Sequence, residues 1–411
     1  MSGRNLFLFS RRDLHAMTLT SEFRHRLGAQ PDDLEIAFYD WDGQPGQSVD
    51  PAGFDFPVMD RAALHRLGPG DVNSVTLASL APANAAALRD LAARTGLGMD
   101  RVCVFVTDDE VQRWCDHLTA HGGWTPGVQE HIDDAVIAMA KRITTWLCPD
   151  EPFGRELRAI LGDHLRILDI ASLPPVVTDP EAYRVLRDRL RPEIEAHQRR
   201  TGATGVMVLS KPRPWPAWRA HMRSLARHAL TGRGSMVVHV WRRRAHWPLH
   251  HMAELWLLTR LIGLAGLAAR ATGRGARIEI RTLPSLTRGE YLMTIFRCDA
   301  LIGAARSGGG AMAEFLRHGK LVLHPAGSVN ALVNQRDRGI DVPDSGGHVF
   351  GRIAAMVADG RAATFGETAA ARIRACEARA RDRFETLYRQ GFLGRPPAGT
   401  VEPPARREAA R

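Results

Sequence analysis

FRCDALIGAARSGGGAMAEFLRHGKLVLHP, residues 296–325, is the stretch on which the fold turns. It begins as a short apolar strand at 300–303. A loop follows with Arg306, Ser307 and three glycines, Gly308, Gly309 and Gly310. A helix at 310–318 carries Glu314, Gly319 stops it, and a second strand runs over 321–324. Glycines let a backbone approach a ligand closely and adopt conformations closed to other residues. The start of the next helix offers unpaired N–H groups and a partial positive charge, which stabilise an anion such as a diphosphate. Arg306 adds a permanent forked cation. Glu314 stands about one turn into the helix, where a carboxylate can accept hydrogen bonds from two ribose hydroxyls. Open α/β sheets bind ligands at the carboxyl ends of their strands, which is where this loop sits.

Outward from this stretch the chain alternates strand and helix in two series. Before it, the spacing predicts strands at 206–210, 236–241 and 277–281, with helices at 218–230, 249–271 and 288–297. After it come a helix at 348–357 and a long charged helix at 364–390. The N-terminal half predicts strands at 5–10, 34–39, 74–80, 102–106, 143–147 and 165–170, with helices at 84–95, 111–120, 132–142 and 153–161. The run VCVFV at 102–106 reads as a strand buried on both faces. Such alternation implies parallel sheets covered by helices. The fold class is therefore α/β, with two doubly wound Rossmann-like domains facing a cleft. The expected divisions are an N-terminal domain at 1–180, a linker at 181–205 and a C-terminal domain at 206–360. A helix at 361–392 packs back toward the first domain, and a disordered tail covers 393–411.

Composition sets outer limits. The chain has 411 residues, 45% hydrophobic and 24% charged, which excludes a wholly disordered protein. Its 55 lysines and arginines against 45 acids give a net charge of +10. Lys141, Lys211 and Lys320 are the only lysines, so part of the basicity is an arginine bias in composition. An arginine-rich surface still attracts anions, so peripheral contact with an anionic membrane is a partner expectation. Cys103, Cys115, Cys148, Cys298 and Cys376 form no CxxC and are odd in number, which predicts reduced thiols without a metal site. No apolar run reaches the ~20 residues of a membrane span. The N-terminal apolar run is too short for a secretory signal, so a cytoplasmic protein is expected.

The order Arg306-Ser307-Gly308, Glu314, Gly319, Pro325 resembles the donor-binding segment of GT-B glycosyltransferases. It is closest to the MurG-like branch, which transfers N-acetylglucosamine from a UDP donor. Cys298-Asp299-Ala300-Leu301-Ile302 resembles the strand that precedes that loop in the family. Two features depart from the pattern. Leu321 stands where the family has a proline, and Phe9-Ser10-Arg11-Arg12-Asp13-Leu14-His15 replaces a glycine-rich loop after the first strand. The resemblance implies transfer of a sugar from a nucleotide-diphosphate donor, with diphosphate on Ser307, Gly308, Gly309 and Gly310 and ribose on Glu314. An arginine eight residues before Glu314, where the retaining branch has a glutamate, favours inversion without a metal. No cofactor beyond the nucleotide-sugar is implied. The acceptor would be a glycan, a lipid-linked sugar or a protein.

In such enzymes Lys211 and Arg213, after the first strand of the second domain, would face the donor phosphates. Arg243 follows the next strand, and Asn334 and Gln335 would meet the sugar hydroxyls. An inverting transfer needs a base for the acceptor proton and positive charge or dipoles for the leaving group. Asp108, Asp109 and His15 are the base candidates, each following an N-domain strand. Three other functions fit parts of the pattern: a nucleotide-sugar 2-epimerase of the same fold, a basic nucleic-acid-binding module, and a scaffold without catalysis. The nucleic-acid reading lacks an RNA-recognition aromatic pattern and zinc-finger spacing, so no nucleic-acid partner is expected.

Overall fold

Two parallel sheets organise the chain. The computed structural model describes residues 3–13, 15–44, 49–106, 110–124, 134–171, 176–209, 215–241, 249–284, 286–305 and 308–397. The first sheet contains β1 (Arg4–Phe9), β2 (Glu35–Phe38), β3 (Val58–Met59), β4 (Val72–Ala78), β5 (Val102–Phe105), β6 (Thr145–Cys148) and β7 (Arg166–Asp169). Their order is β3-β2-β1-β4-β5-β6-β7. The second contains β8 (Ala203–Val208), β9 (Ser235–Trp241), β10 (Arg277–Leu283), β11 (Ala300–Ile302) and β12 (Leu321–Leu323), in the order β10-β9-β8-β11-β12. Every ladder is parallel, with Leu6 opposite Val75 in the first sheet and Val206 opposite both Val238 and Ala300 in the second. Central strands such as β5 and β11 are buried along their whole length. This explains why they are continuous apolar runs rather than alternating ones.

Both sheets therefore wind outward from a middle strand and reverse direction once. The reversal lies between β1 and β4 in the first sheet and between β8 and β11 in the second. A crevice opens outside the carboxyl ends of the strands at such a point. The two carboxyl edges meet: Arg336, after β12, donates from Nη1 to Glu151, after β6, at 3.1 Å.

Several short elements carry no periodic signal and go unanticipated, among them β3, the helix Val329–Leu332, the helix Ala16–Ser21 and the helix Arg61–His65. The last is started by Asp60, whose Oδ1 accepts from the Ala63 amide at 2.7 Å. The connection between the sheets is helical. Helical segments Pro180–Val185, Leu186–Leu190 and Arg191–Thr201 run on without a break and end at Gly202 in the left-handed conformation.

The helix Arg361–Arg383 and its continuation Phe384–Gln390 cross from one core to the other. Ala369, Ile373 and Cys376 join the core of the second sheet, and Ala380, Phe384 and Tyr388 that of the first. Phe384 packs edge-on against Phe23 at 5.0 Å, and the Tyr388 hydroxyl meets Thr76 Oγ1 at 2.6 Å. Arg389 donates from Nη2 to Asp33 Oδ1 at 3.0 Å, both side chains buried. Packing continues past the helix, since Phe392 and Leu393 are also buried in the first core.

Candidate functional site

The loop between β11 and the next helix is shaped by its neighbours in the sheet. Asp299 Oδ2 accepts from the Gly205 amide at 2.8 Å and ties the start of β11 to β8. A Cβ on Gly205 would meet the Arg297 carbonyl at 2.3 Å, so only glycine fits this crossing. At the carboxyl end of β11 a Cβ on Gly303 would meet the His324 ring at 2.2 Å. His324 is buried, and burial lowers its pKa to about 4, so the ring is neutral at neutral pH. Its Nδ1 donates to the Ala304 carbonyl at 3.2 Å, a bond that holds the outgoing loop. Asn330 Nδ2 donates to the same carbonyl at 3.1 Å.

The chain then turns at Gly308, whose φ of +80° lies in the left-handed region, and enters the helix Gly309–Arg317. Gly308 and Gly309 are exposed, and nothing lies within 4 Å of a Cβ on Gly309. The amides of a first helical turn have no intrahelical acceptor. The turn therefore presents N–H groups and the helix dipole at the carboxyl edge, beside the reversal between β8 and β11.

The other end of this helix is closed. Glu314 is fully buried. Its Oε1 accepts from Arg317 Nη1 at 2.9 Å and from the Val176 amide at 3.2 Å. Its Oε2 accepts from the Tyr183 hydroxyl at 2.8 Å and faces His318 Nε2 at 3.3 Å. Burial alone would raise its pKa, but the Arg317 guanidinium and the His318 ring outweigh burial and hold it down to about 2. The seam extends further. Glu377 Oε1, on the crossing helix, accepts from Arg317 Nε and from Arg26 Nη1, each at 2.6 Å. A ribose would reach Glu314 only by displacing the Tyr183 hydroxyl and the Val176 amide.

The remaining anticipated residues scatter by burial. Asn334 is fully buried, donating from Nδ2 to Met312 Sδ and to the Asn330 carbonyl, each at 3.0 Å. Its Oδ1 accepts from Arg338 Nη1 at 2.9 Å. Gln335 beside it is exposed. His15 is exposed at the start of the helix Ala16–Ser21, and its amide donates to Asp13 Oδ1 at 2.8 Å. Asp108, Asp109, Lys211, Arg213, Arg243, Arg306 and Ser307 lie outside the described residues. Among the described residues no group of three acids, histidines or cysteines is placed to hold a metal ion, and all five cysteines are free thiols.

Two features of the N-domain edge escaped the sequence reading. Asp13, in the loop after β1, is half-buried, and desolvation raises its pKa against the pull of the His15 amide. Ser79, after β4, has a φ of +65°, unusual for a non-glycine residue and stationed at the reversal between β1 and β4. The signal for Asp13 was its place two residues before His15 in the loop that replaces the glycine-rich one.

No family model matches the chain, and no curated protein does. Solved structures do match. Anabaena HepE, solved with UDP, superposes with a TM-score of 0.56 at 11% identity, over 93% of this chain and 98% of that one. A UDP-forming trehalose-phosphate synthase from Burkholderia vietnamiensis gives 0.57 at 10% identity, over 98% and 99%. Sucrose-phosphate synthase from Thermosynechococcus elongatus gives 0.56 at 10%, over 95% and 100%. The architecture is that of the GT-B glycosyltransferases.

Proposed function

We propose that the chain is a glycosyltransferase that takes a sugar from a nucleoside-diphosphate donor. The observation that carries this reading is the exposed bend at Gly308, which opens a helix at the β8/β11 reversal, on the carboxyl edge that meets the first domain. The UDP held by the architecturally similar HepE supports a uridine nucleotide as the first donor to try. In this reading the first-turn amides, Arg306 and Ser307 grip the diphosphate, with Lys211, Arg213 and Arg243 adding positive charge. The N-terminal domain, residues 1–180, takes the acceptor, and residues 206–360 take the donor. The long carboxyl-terminal helix locks the two together. The arginine eight residues before Glu314 favours inversion, and this reading takes the transfer to need no metal and to occur in the cytoplasm.

The base that accepts the acceptor proton is Asp108, Asp109 or His15, and the raised pKa of Asp13 adds a fourth candidate in the loop after β1. Gln335 is available to a sugar hydroxyl because it is exposed. Glu314 and Asn334 act in this reading by holding the helix and the loop in place.

Thermal unfolding with UDP, GDP, dTDP and CMP tests the donor site. One nucleotide is expected to raise the melting temperature by several degrees. Gly309→Asp puts a carboxylate into open space at the first turn, so it should abolish that rise and leave the unliganded melting temperature in place. No rise with any of the four nucleotides would sink the proposal.

A further inference from the structure

The helix Leu249–Ala271 turns large apolar side chains to water. Ile262 and Gly266 face inward, where the helix packs on the helix Trp215–Thr231 and on β10. On the outer face Trp256, Leu257, Leu261, Leu264 and Leu267 are between 51% and 64% exposed. Leu230, on the neighbouring helix, is 46% exposed. Single exposed leucines are ordinary, but a row of them along one helix marks an interaction surface. On this outer face Arg260 interrupts the apolar row, and its guanidinium lies 5.5 Å from the Trp256 ring centre.

Charge gives the second observation. Residues 211–280 hold 13 lysines and arginines against two acids, Glu254 and Glu279, whereas the rest of the chain holds 42 against 43. The basic excess of the protein thus comes from this one segment of the sequence, whose described arginines include Arg219, Arg223, Arg227, Arg260 and Arg274. A compositional bias would spread it along the whole chain.

We propose that this face of the second domain lies in the interface of an anionic phospholipid bilayer. The tryptophan and leucines enter the upper acyl region, and the arginines stay at the headgroup phosphates. A second copy of the chain is a poorer occupant, because a two-fold contact would set the basic flank against itself. The helix lies on the membrane and does not cross it, since no described helix is long and apolar enough to span one. As the crossover from β9 to the parallel β10, it starts at the carboxyl edge of the sheet, the edge that holds the Gly308 bend. The surface would then bring the site to an acceptor carried in the bilayer. That last point rests on the proposed transferase function, but the docking face does not.

Flotation of the full chain with vesicles tests the surface. Vesicles of equal parts phosphatidylglycerol and phosphatidylcholine should carry the protein, and phosphatidylcholine alone should bind it about tenfold more weakly, with added salt narrowing the gap. The double variant Leu261→Glu with Leu264→Glu changes only exposed positions, so circular dichroism and melting temperature should stay put while vesicle binding falls about tenfold or more. Failure of the wild type to float with anionic vesicles, or equal binding by the variant, overturns the proposal. So does a wild-type dimer that ignores vesicles and that the variant splits. The melting shifts with UDP, GDP, dTDP and CMP are read on the same samples. Absence of all four alongside intact vesicle binding strikes the donor reading and leaves the membrane face standing.

Discussion

Two helices of 23 residues each, Leu249–Ala271 and Arg361–Arg383, stand in opposite relation to water. The first is rich in leucine and shows a row of leucines and a tryptophan to solvent. The second is rich in arginine, yet buries Ala369, Ile373, Cys376 and Ala380. The difference lies in where each one runs. The leucine-rich helix covers the margin of a five-stranded sheet beside its edge strand β10, so among the described residues only one of its faces has a partner. The arginine-rich helix passes over one core and enters another. Its small residues allow close approach, and its charges find partners in the seam. Residue composition tells how apolar a helix is, and the number of cores it touches decides how much of it is covered.

The sharpest way to break this contrast is Phe384→Ala. Phe384 is fully buried against Phe23 and Tyr388, and its loss should cost about 3–5 kcal/mol in urea unfolding. Near-wild-type stability would show that the crossing helix does not hold the first core.

The polar seam gives the next effect. Glu314 sits at about 2 in the folded protein against an ordinary 4.5, so its contribution is complete above pH 4.5 and disappears as pH falls toward 2. The linked loss is about 3 kcal/mol. Stability measured from pH 6 downward should fall through that window in the wild type and fall less in Glu314→Gln. Parallel curves would remove the carboxylate from the account.

Gly366→Ala probes the approach of the crossing helix to the turn at Gly319. A Cβ there would meet the Gly319 carbonyl oxygen at 1.8 Å, which forces the backbones apart. The expected cost is about 1–3 kcal/mol by thermal or urea unfolding. Leu264→Ala, on the other helix, should change stability by no more than about 0.5 kcal/mol, because its side chain is 64% exposed. A large loss there would mean that the apolar row is covered within the molecule.

Much of the fold was legible because its signals are local. The helix at 249–271 and the stops at Gly96 and Gly319 follow from periodicity and glycine placement. The loop at Gly308 was read from three adjacent glycines, and the structure puts that bend at a carboxyl edge. Short pieces such as β3 were missed because two residues carry no period.

The side-chain roles were less legible. Glu314 occupies the position in its helix that the motif suggested, but its hydroxyl partner is Tyr183, 131 residues earlier in the chain. Asn334 is likewise taken up inside the protein, by Met312 and Arg338.

The order of residues alone determined the alternation of strand and helix, the glycine bend and the arginine-heavy charge, because each depends on neighbours a few positions apart. Only the folded chain decided which carboxylate is sealed, which amides stay open and which leucines meet water. Those outcomes depend on segments far apart in sequence, and burial against them sets whether a polar group is satisfied within the protein or left for a ligand.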